Sequence, residues 1–486
     1  MREAKEGVEP SDEDIRKMAE FISFHQDRFN SAMISNAVFY ENKPKDISKA
    51  VMDDLNLQIS VSKVETYARC PYSYYLRYIL GLRDRDQSEA DGLLIGNIVH
   101  NVLELTVRDV QEKYGNDWTA VDDLMLEDMA MDHLRDAFAE KYEVFGDDDI
   151  VVKDIYPYLS NKNKSMYNNL ADMAKKNIRI IKYHINAGNM KPLAEEQDFS
   201  ATLDISKADG STMPLVINGK IDRIDSYTED GKTYIRIIDY KTGNGTFSME
   251  DIDYGMKVQL TTYMDIIVDI MKAKLGKDAV VPEGMYYYKV ENPIIELSSI
   301  SGKYITEHGG TLEAAVEAKY RENFKMSGPS NYDPVVADAD KLHGNLNIQE
   351  AGVVNAVGEI GKGVIIPVKT TGGGFSKDTL LLGSDDMENL CNYSTSVVKT
   401  TAEEIVSGRI PKSPVAGAIG KEATQCAYCD FREACRYYSK YSGPYRRIKS
   451  KIYKTREEVE ETIRKSDKTD FKESRFVDRK KDKRNG

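Results

Sequence analysis

Three segments with alternating polar and apolar residues restrict most strongly what this chain can fold into. They read FSATLDI, MPLVINGKIDRI and KTYIRIIDYKTG, and Asp-Gly pairs at 209–210 and 230–231 separate them. A period of two is typical of β-strands, and Asp-Gly is a common hairpin turn. Helical spacing precedes these segments at 96–110 and follows them at 252–274. The sequence therefore predicts an α/β protein built around these strands.

The overall charge and the cysteine content exclude several classes of protein. The 486 residues include 67 basic and 80 acidic side chains, so the net charge is −13, which argues against a protein that coats nucleic acid non-specifically. No run approaches the roughly 18 apolar residues of a membrane span, and residues 1–20 lack the apolar stretch of a secretion signal. Five cysteines do not make a disulfide scaffold. We expect a cytoplasmic protein without membrane contact.

The charge is unevenly distributed along the chain. Residues 445–486 contain 16 basic and 9 acidic residues, whereas the preceding part is strongly acidic. The segment 445–456, YRRIKSKIYKTR, interleaves cations with tyrosines, a pattern that favours contacts with DNA phosphates and bases. A solvated tail is the alternative interpretation. The side chains to which the DNA-binding hypothesis assigns these contacts are Arg446, Arg447, Lys449 and Lys451.

An acid and a lysine end the third alternating segment. In YIRIIDYK, the period of two places Asp239 and Lys241 on one face. The preceding INGKIDRID offers Asp222 and Asp225 on opposite faces, and the pattern does not decide which of them joins Asp239. Two converging carboxylates repel unless a cation lies between them, and oxygen ligands suit Mg²⁺ or Mn²⁺. A surface hairpin with a solvated Asp–Lys pair is the alternative.

Two weaker patterns lie outside the strands. His100 follows Gly96 in an apolar helix; histidine is a common metal ligand, although a lone helical histidine is more often a core residue. Gln259 and Tyr263 lie four residues apart and share a helix face.

Four motifs in this order, GNIVH, GKIDRID, IIDYKTG and QLTTY, resemble the nuclease domain of the PD-(D/E)xK superfamily in its RecB-like branch. The resemblance implies a restriction-endonuclease-like mixed sheet flanked by helices. It also implies cleavage of phosphodiester bonds with a divalent metal, which polarises the phosphate and activates a water.

The resemblance implies roles for individual residues. The implied metal ligands are His100, Asp222 and Asp239, and the implied catalytic group consists of Asp222, Asp239, Lys241, Gln259 and Tyr263. It thereby selects Asp222 over Asp225, and it makes Lys241 the catalytic lysine. A further acid often precedes these strands; Glu196 is the weaker match, and Glu195 is its alternative.

A compact group of cysteines forms the pattern Cys426-x2-Cys429-x5-Cys435. The two-residue gap allows both sulfurs to face one metal. A fourth ligand could come from Cys70 or from Cys391. Four thiolates bind zinc or an iron–sulfur cluster, with zinc the default on chemistry alone, and three unligated cysteines are the alternative.

One cysteine before the nuclease motifs and three after them is similar to the iron–sulfur nucleases of the AddB type. This resemblance, which covers residues 57–465, implies a 4Fe–4S cluster on Cys70, Cys426, Cys429 and Cys435 that staples the two ends of the nuclease domain. AddB proteins carry a large helicase-like N-terminal region, and this chain has almost none. Its sequence has no phosphate-loop pattern, so we do not expect ATP hydrolysis by this chain alone.

From these features we expect three parts of the chain. Residues 1–56 form a helical and linker segment left from the helicase-like region, residues 57–440 form the nuclease domain with a loop-rich insertion at 300–384, and residues 441–486 form a basic tail with a disordered end.

The implied function is a Mg²⁺- or Mn²⁺-dependent exonuclease that acts on single-stranded DNA ends in double-strand break repair and recombination. Its implied partner in a heterodimer is the AddA-like helicase–nuclease protein. The alternatives are a non-catalytic DNA-binding or assembly module stapled by a metal cluster, and a stand-alone iron–sulfur nuclease of the CRISPR-adaptation type, which the insertion disfavours.

Overall fold

The computed structural model describes the chain in separate stretches. They are residues 12–24, 45–48, 52, 59–83, 92–142, 154–207, 209–243, 245–324, 326–331, 347–348, 354–355, 370–371, 374–375, 381–417, 425–437, 445–448 and 456–477. The chain divides into two compact units. The first comprises Met1–Asp46, Cys70–Asp84 and Ile410–Ile448, and the second comprises Ile47–Arg69, Arg85–Arg409 and Lys449–Gly486.

A mixed β-sheet organises the second unit. Its strands among the described residues are β1 (Lys191–Ser206), β2 (Thr212–Glu229), β3 (Lys232–Lys241), β4 (Val280–Lys289), β5 (Ser330–Asn331), β6 (Leu381–Leu382) and β7 (Glu473–Phe476). They lie in the order β6-β5-β4-β3-β2-β1-β7. The pairs β3–β4 and β5–β6 are parallel, and the other neighbours are antiparallel. The predicted α/β fold with a mixed sheet is confirmed.

The turn between β2 and β3 follows the Asp-Gly prediction. Asp230 and Gly231 both have positive φ angles, 50° and 76°, which a two-residue hairpin turn requires and which aspartate and glycine tolerate. This turn sets the register of β2 against β3, beginning with Glu229 opposite Lys232.

Helices surround the sheet or belong to the first unit. In chain order they are α1 (Asp12–Phe24), α2 (Val61–Arg69), α3 (Pro71–Tyr74), α4 (Gly92–Tyr114), α5 (Asp123–Tyr142), α6 (Asn161–Ala187), α7 (Met249–Asp253), α8 (Gln259–Leu275), α9 (Gly302–Glu307), α10 (Leu312–Asn323), α11 (Ser384–Val406), α12 (Arg432–Cys435) and α13 (Arg456–Arg464). Within the described residues, no helix is long and apolar enough to cross a membrane.

The two faces of the sheet are covered by different helices. On one face, α4, α5 and α6 bury a core that includes Trp118, Phe138 and, from the sheet, Ile238 and Tyr240. The other face carries α8, which connects the parallel strands β3 and β4 and packs against α11. A parallel pair needs such a crossover.

The helix predicted at 252–274 is divided in the structure. Residues before 259 form the short α7 and a turn, and Gly255 adopts a positive φ of 69° between α7 and α8. A residue with that backbone conformation ends a right-handed helix, so α8 begins only at Gln259.

Part of the segment expected as a basic tail, 441–486, forms secondary structure on the second unit. Helix α13 packs on α11, and Arg464 donates to Asp386 through Nε at 2.6 Å. Strand β7 then pairs with β1, from Phe476 opposite Phe199 to Glu473 opposite Thr202. Residues 456–477 therefore belong to the second unit, and residues 478–486 lie outside the described residues. Strand β7 is held by backbone pairing with β1, which the charged composition of this segment does not reveal.

Two other expected regions are only partly described. Of the segment 1–56, the structure describes α1, residues 45–48 and residue 52. The expected insertion at 300–384 contributes α9, α10, β5, β6 and short strand pairs, and its other residues lie outside the described part.

Candidate active site

Adjacent strands bring the two aspartates of the predicted site together. The antiparallel ladder of β2 and β3 ends at Arg223 opposite Ile238, and Asp222 and Asp239 are the next residues beyond it, close enough for the charge of Asp222 to act on Asp239. The Asp222 carboxylate accepts a hydrogen bond from the backbone N–H of Tyr240 at 2.8 Å. Asp222 is thus the acid that joins Asp239.

Asp225 lies in a different environment. It is 1% exposed and accepts two hydrogen bonds from Arg223, at 2.7 and 2.8 Å, with Arg236 also nearby at 3.7 Å. A buried carboxylate with such partners is satisfied within the core. Asp225 is therefore part of a buried ion pair in the core and does not join Asp239.

Burial and mutual repulsion define the electrostatics of the aspartate pair. Burial, followed by the neighbouring charge of Asp222, raises the pKa of Asp239 to about 6. Burial likewise raises the pKa of Asp222. Two carboxylates in one desolvated place favour either a proton or a cation between them. The pair has the electrostatic character of a cation site.

Lys241 lies beside Asp239 at the end of β3. Its Nζ is 2.7 Å from Asp239 Oδ2 and 5.9 Å from the centre of the Tyr287 ring. Burial alone would lower the pKa of Lys241, but Asp239 and further carboxylates outweigh it, and the net shift is upward. The ammonium group therefore stays charged at neutral pH, next to the paired aspartates.

His100 reaches the aspartates from α4. Its Nδ1 is 3.7 Å from Asp222 Oδ2, and its ring meets the Tyr240 ring edge-on at 5.9 Å. Burial lowers the pKa of His100 to about 4, so the imidazole is neutral and can offer a lone pair to a metal. Gly96, one turn earlier, allows the close approach of the chain after β3, because a Cβ there would lie 3.0 Å from Thr242 Oγ1.

Gln259 and Tyr263 lie on the first turns of α8, as their spacing predicted. The Tyr263 ring packs edge-on against Phe199 at 4.7 Å, and a Cβ on Gly219 would lie 2.8 Å from Tyr263 Cζ. Burial raises the pKa of the Tyr263 hydroxyl, and the negative charges of Glu65 and Asp239 add to this shift. Gly219 thus leaves the space in which Tyr263 lies near the aspartate pair.

The two candidate glutamates of β1 have separate environments. Glu196 has a positive φ of 49°, and its carboxylate pairs with Lys220. Glu195 is opposite Arg223 in the register, and both of its buried carboxylate oxygens lack a hydrogen-bond partner among the described residues. Burial raises the pKa of Glu195 well above its usual range, with Arg223 opposing the shift. Among the described residues, both carboxylate oxygens of Glu195 lack a hydrogen-bond partner, whereas the Glu196 oxygen that also lacks one is ion-paired with Lys220.

Two further acidic residues near this site were not predicted from the sequence. Glu65 of α2 accepts a hydrogen bond from the Gln259 N–H at 3.1 Å, and burial raises its pKa to about 7. Glu104 lies one turn after His100 on α4, and burial raises its pKa too. The four-residue spacing from His100 could have indicated Glu104. No local pattern indicates Glu65, since its partner is distant in sequence.

The donor atoms suit Mg²⁺ or Mn²⁺. Two buried carboxylates with raised pKa and one neutral imidazole are oxygen and nitrogen ligands that such ions accept. Within the part of the chain that the structure describes, no three histidine, cysteine or acidic side chains are close enough to form a metal cage as they stand. The side chains therefore match Mg²⁺ or Mn²⁺ in the type of their donor atoms and in their common location.

The four cysteines that the resemblance assigns to a cluster line one pocket in the first unit. Cys70, Cys426, Cys429 and Cys435 share this pocket with apolar side chains that include Tyr72, Leu76, Pro414 and Phe431. Burial raises the pKa of Cys426 to about 12 and that of Cys435 to about 11, and the neighbouring thiols contribute. Several soft donors in an apolar pocket suit a metal cluster, which would stabilise the thiolates.

Cys391 is the cysteine that does not line this pocket. It is buried on α11 with its Sγ 3.9 Å from Met285 Sδ. Its surroundings are those of an ordinary core thiol. Of the two candidates for the fourth ligand, the structure brings Cys70 to the other three.

The basic residues of the DNA-binding hypothesis are partly described. Arg446 and Arg447 are exposed on a two-residue strand that pairs with Val415–Ala416 in the first unit. Lys449 and Lys451 lie outside the described residues.

A family model and several known proteins are similar to this chain over most of its length. Residues 58–436 match the model of the PD-(D/E)XK nuclease superfamily. The chain is 26% identical over 445 residues to a protein of Lachnoclostridium phytofermentans, covering 90% of this chain and 35% of that protein. It is 27% identical to a protein of Clostridium botulinum, covering 88% and 34% of the two chains, and 27% identical to one of Caldanaerobacter subterraneus, covering 87% and 34%.

These three relatives are named as the B subunit of an ATP-dependent helicase/deoxyribonuclease. The chain spans about a third of the length of these curated relatives. The family match covers the elements that carry His100, Asp222, Asp239 and Lys241 as well as the four cysteines of the pocket. The chain belongs to the PD-(D/E)XK nuclease superfamily.

Proposed function

We propose that this chain is the nuclease region of an AddB-type helicase–nuclease component and hydrolyses phosphodiester bonds of DNA with a divalent metal. The observation that carries the proposal is the proximity of Asp222 and Asp239, with Lys241 2.7 Å from Asp239 and His100 3.7 Å from Asp222. The family match of residues 58–436 supports it.

The residues of the site divide the chemical work. Asp222, Asp239 and the neutral His100 would hold Mg²⁺ or Mn²⁺, which when bound supplies Lewis-acid polarisation of the phosphate and a water of lowered pKa. Lys241, kept cationic by Asp239, places positive charge where the phosphoryl oxygens gain negative charge. Tyr263, packed against Phe199, forms a wall of the site on the α8 side.

The decisive experiment compares Asp239→Asn with the wild-type chain on end-labelled single-stranded DNA. Wild type should cleave in Mg²⁺ or Mn²⁺ and not in EDTA, whereas the variant should lose at least about a hundredfold in rate, because a metal-holding charge is removed. Asp230→Asn is the matched control, since asparagine tolerates the positive φ of this exposed turn. Equal cleavage by wild type and Asp239→Asn would sink the proposal.

We propose single-stranded ends as the substrate and double-strand break repair and recombination as the process. The relatives are named as one component of a helicase/deoxyribonuclease, and a helicase partner would deliver unwound strands. The AddA-like component of that enzyme type is therefore the proposed heterodimer partner. Co-purification with such a protein, together with faster cleavage of single-stranded than of duplex DNA, tests this assignment. DNA binding without cleavage would favour the non-catalytic module instead.

We further propose that the cysteine pocket holds a 4Fe–4S cluster. Four thiols that line one pocket with apolar walls support it. Anaerobically purified protein should be brown and contain about four iron and four sulfide ions per chain. Colourless protein with one zinc ion per chain would contradict the iron–sulfur assignment.

A further inference from the structure

The helix that carries Gln259 and Tyr263 begins without a capping side chain of its own. The residue before α8 is Val258, whose side chain makes no capping hydrogen bond. The first N–H groups of a helix have no partner within the helix, and valine cannot accept from them. The start of α8 therefore needs an acceptor from another element.

Glu65 of α2 supplies that acceptor. Its Oε1 accepts a hydrogen bond from the Gln259 N–H at 3.1 Å, and the Val258 N–H also contributes to the carboxylate's environment. Glu65 is 8% exposed, so water does not replace this contact easily. A carboxylate at the N-terminal end of a helix also interacts favourably with the helix dipole.

Arg69 lies one turn after Glu65 on α2 and completes the contact. Its Nη2 is 3.4 Å from Glu65 Oε2 and donates to the carbonyl oxygen of Met256 at 2.9 Å. Glu65 and Arg69 thus bind two points, residues 256 and 259, of the connection that leads into α8. We call this pair the α2 clamp.

The α2 clamp lies close to the reacting groups of the proposed nuclease. The charge of Glu65 acts on Lys241, Tyr263 and Tyr287, and its pKa is raised to about 7 by burial against the opposing effect of Arg69. A displacement of the α8 start would therefore move Gln259 and Tyr263 relative to Lys241.

We propose that Glu65 and Arg69 are positioning residues that fix the start of α8 and thereby place Gln259 and Tyr263 in the site. The catalytic part of this inference rests on the proposed nuclease function. The structural part concerns only the backbone of residues 256–263 and stands independently of that function.

Two substitutions of Glu65 distinguish the effect of its side-chain length from the effect of its charge. Glu65→Asp keeps the charge but shortens the side chain, so its carboxylate no longer reaches the Gln259 N–H. Glu65→Gln loses the charge but keeps an amide oxygen at the original distance. We expect Glu65→Asp to lower kcat on single-stranded DNA by about tenfold with a small change in KM, and Glu65→Gln to retain most of the activity.

The matched control is Glu127→Gln. Glu127 is another poorly exposed acid in an ion pair, 2.5 Å from Arg179 between α5 and α6, on the face of the sheet away from α8. Its substitution should leave kcat and KM as in wild type. This control is matched to Glu65→Gln and shows what removing the charge of a poorly exposed, ion-paired acid does away from α8.

Hydrogen exchange of the amides of residues 256–263 provides a readout that needs no cleavage. Glu65→Asp should speed exchange there, and Glu65→Gln and Glu127→Gln should not. If wild type fails to cleave DNA, the proposed function fails while the exchange data still test the clamp. Unchanged exchange and unchanged kcat in Glu65→Asp would overturn the positioning role, as would equal impairment of Glu65→Gln, which would assign the effect to charge.

Discussion

The carboxylates of Asp222 and Asp239 are held together although both lose hydration and repel each other. Burial is the largest cause of the raised pKa of each carboxylate. The negative charge of Asp222 also raises the pKa of Asp239, and the positive charge of Lys241 lowers the pKa of both. Such a pair makes the protein without a cation less stable than its packing would allow. Site chemistry and folding stability are therefore linked at these two residues.

This linkage predicts opposite effects of one substitution on stability with and without metal. Asp239→Asn should have a melting temperature equal to or above that of wild type in EDTA, because the repulsion is gone. Addition of Mn²⁺ should raise the melting temperature of wild type by several degrees and that of the variant much less. Differential scanning fluorimetry over a Mn²⁺ titration measures both. A variant that responds to Mn²⁺ like wild type would remove Asp239 from the metal site.

Asp265 of α8 gives a second prediction for a single residue. It concerns the pH dependence of folding stability and not the proposed cleavage chemistry. Asp265 is partly buried, accepts a hydrogen bond from Thr395 Oγ1 at 2.6 Å, and desolvation raises its pKa from 3.8 to about 7. Because the folded state binds the proton more tightly than the unfolded state, the stability from this group is complete below pH 4 and is lost as the pH rises through about 7.

Asp265→Asn should remove this pH dependence. The asparagine oxygen can still accept from Thr395 but carries no charge, so it resembles the protonated acid. We expect the free energy of unfolding of wild type to fall relative to the variant between pH 5 and pH 8, by a few kcal/mol at most. Urea unfolding at several pH values measures the difference. A constant difference across that range would show that Asp265 does not titrate there.

At the scale of elements, the strands and the helix of the site could be predicted and their contacts could not. The period of two and the Asp-Gly turn predict β2 and β3 and place Asp239 beside Lys241. The choice between Asp222 and Asp225 could not come from the pattern, because β2 carries acids on both faces. Arg223 and Arg236 hold Asp225 in the core, and those contacts arise only in the folded sheet.

Long-range contacts explain the elements that the sequence did not indicate. Glu65 caps a helix that begins 194 positions later in the chain, so its role has no local signature. Strand β7 reads ESRF and has an exposed or half-exposed pattern, which is typical of a solvated tail. Its pairing with the edge of β1 holds it in place, with the Lys472 N–H donating to Thr202 O at 2.7 Å and Val477 N–H donating to Asp198 O at 2.9 Å.

Truncation tests the importance of β7 for the sheet. A chain ending at residue 466 loses β7 and leaves the N–H and C=O groups of β1 from 199 to 202 without this partner. We expect a melting temperature several degrees lower and concentration-dependent aggregation, because an exposed strand edge pairs with other chains. A chain ending at residue 477 keeps β7 and serves as the control. Equal behaviour of the two truncations would show that β7 adds nothing to stability.

The same element changes how the DNA-binding hypothesis should be tested. Deletion of residues 445–486 would remove α13 and β7 together with the basic segment, so a loss of binding would have two explanations. Substitution of Arg446 and Arg447 by glutamine removes charge at exposed positions and keeps α13 and β7 in the chain. Weaker DNA binding with a reduced salt dependence is the expected result of a phosphate contact.

At the scale of the whole molecule, the cysteine pocket joins parts of the chain that are far apart in sequence. Cys70 belongs to Cys70–Asp84 and the other three to Ile410–Ile448, and both segments lie in the first unit. A cluster across these ligands closes a loop of more than 350 residues, and a long closed loop restricts the unfolded chain strongly. The proposed cluster would therefore hold the first unit together.

Serine substitutions at two cysteines test this holding role. Cys429→Ser should lose iron and colour and become sensitive to proteolysis within residues 425–437, because one of four ligands is gone. Cys391→Ser, buried on α11 beside Met285, should keep iron and resist the protease like wild type. Full iron content in Cys429→Ser would remove this residue from the ligand set.

The pairing of β7 with β1 also has a consequence for synthesis of the protein on the ribosome. Phe199 and Phe476, opposed in the sheet, are almost 280 residues apart in the chain. The outer edge of β1 consequently remains uncovered while the intervening residues are translated, although β2 and β3 can already pair. During that interval the nascent chain presents an open strand edge, the kind of surface that chaperones protect and that neighbouring nascent chains can join.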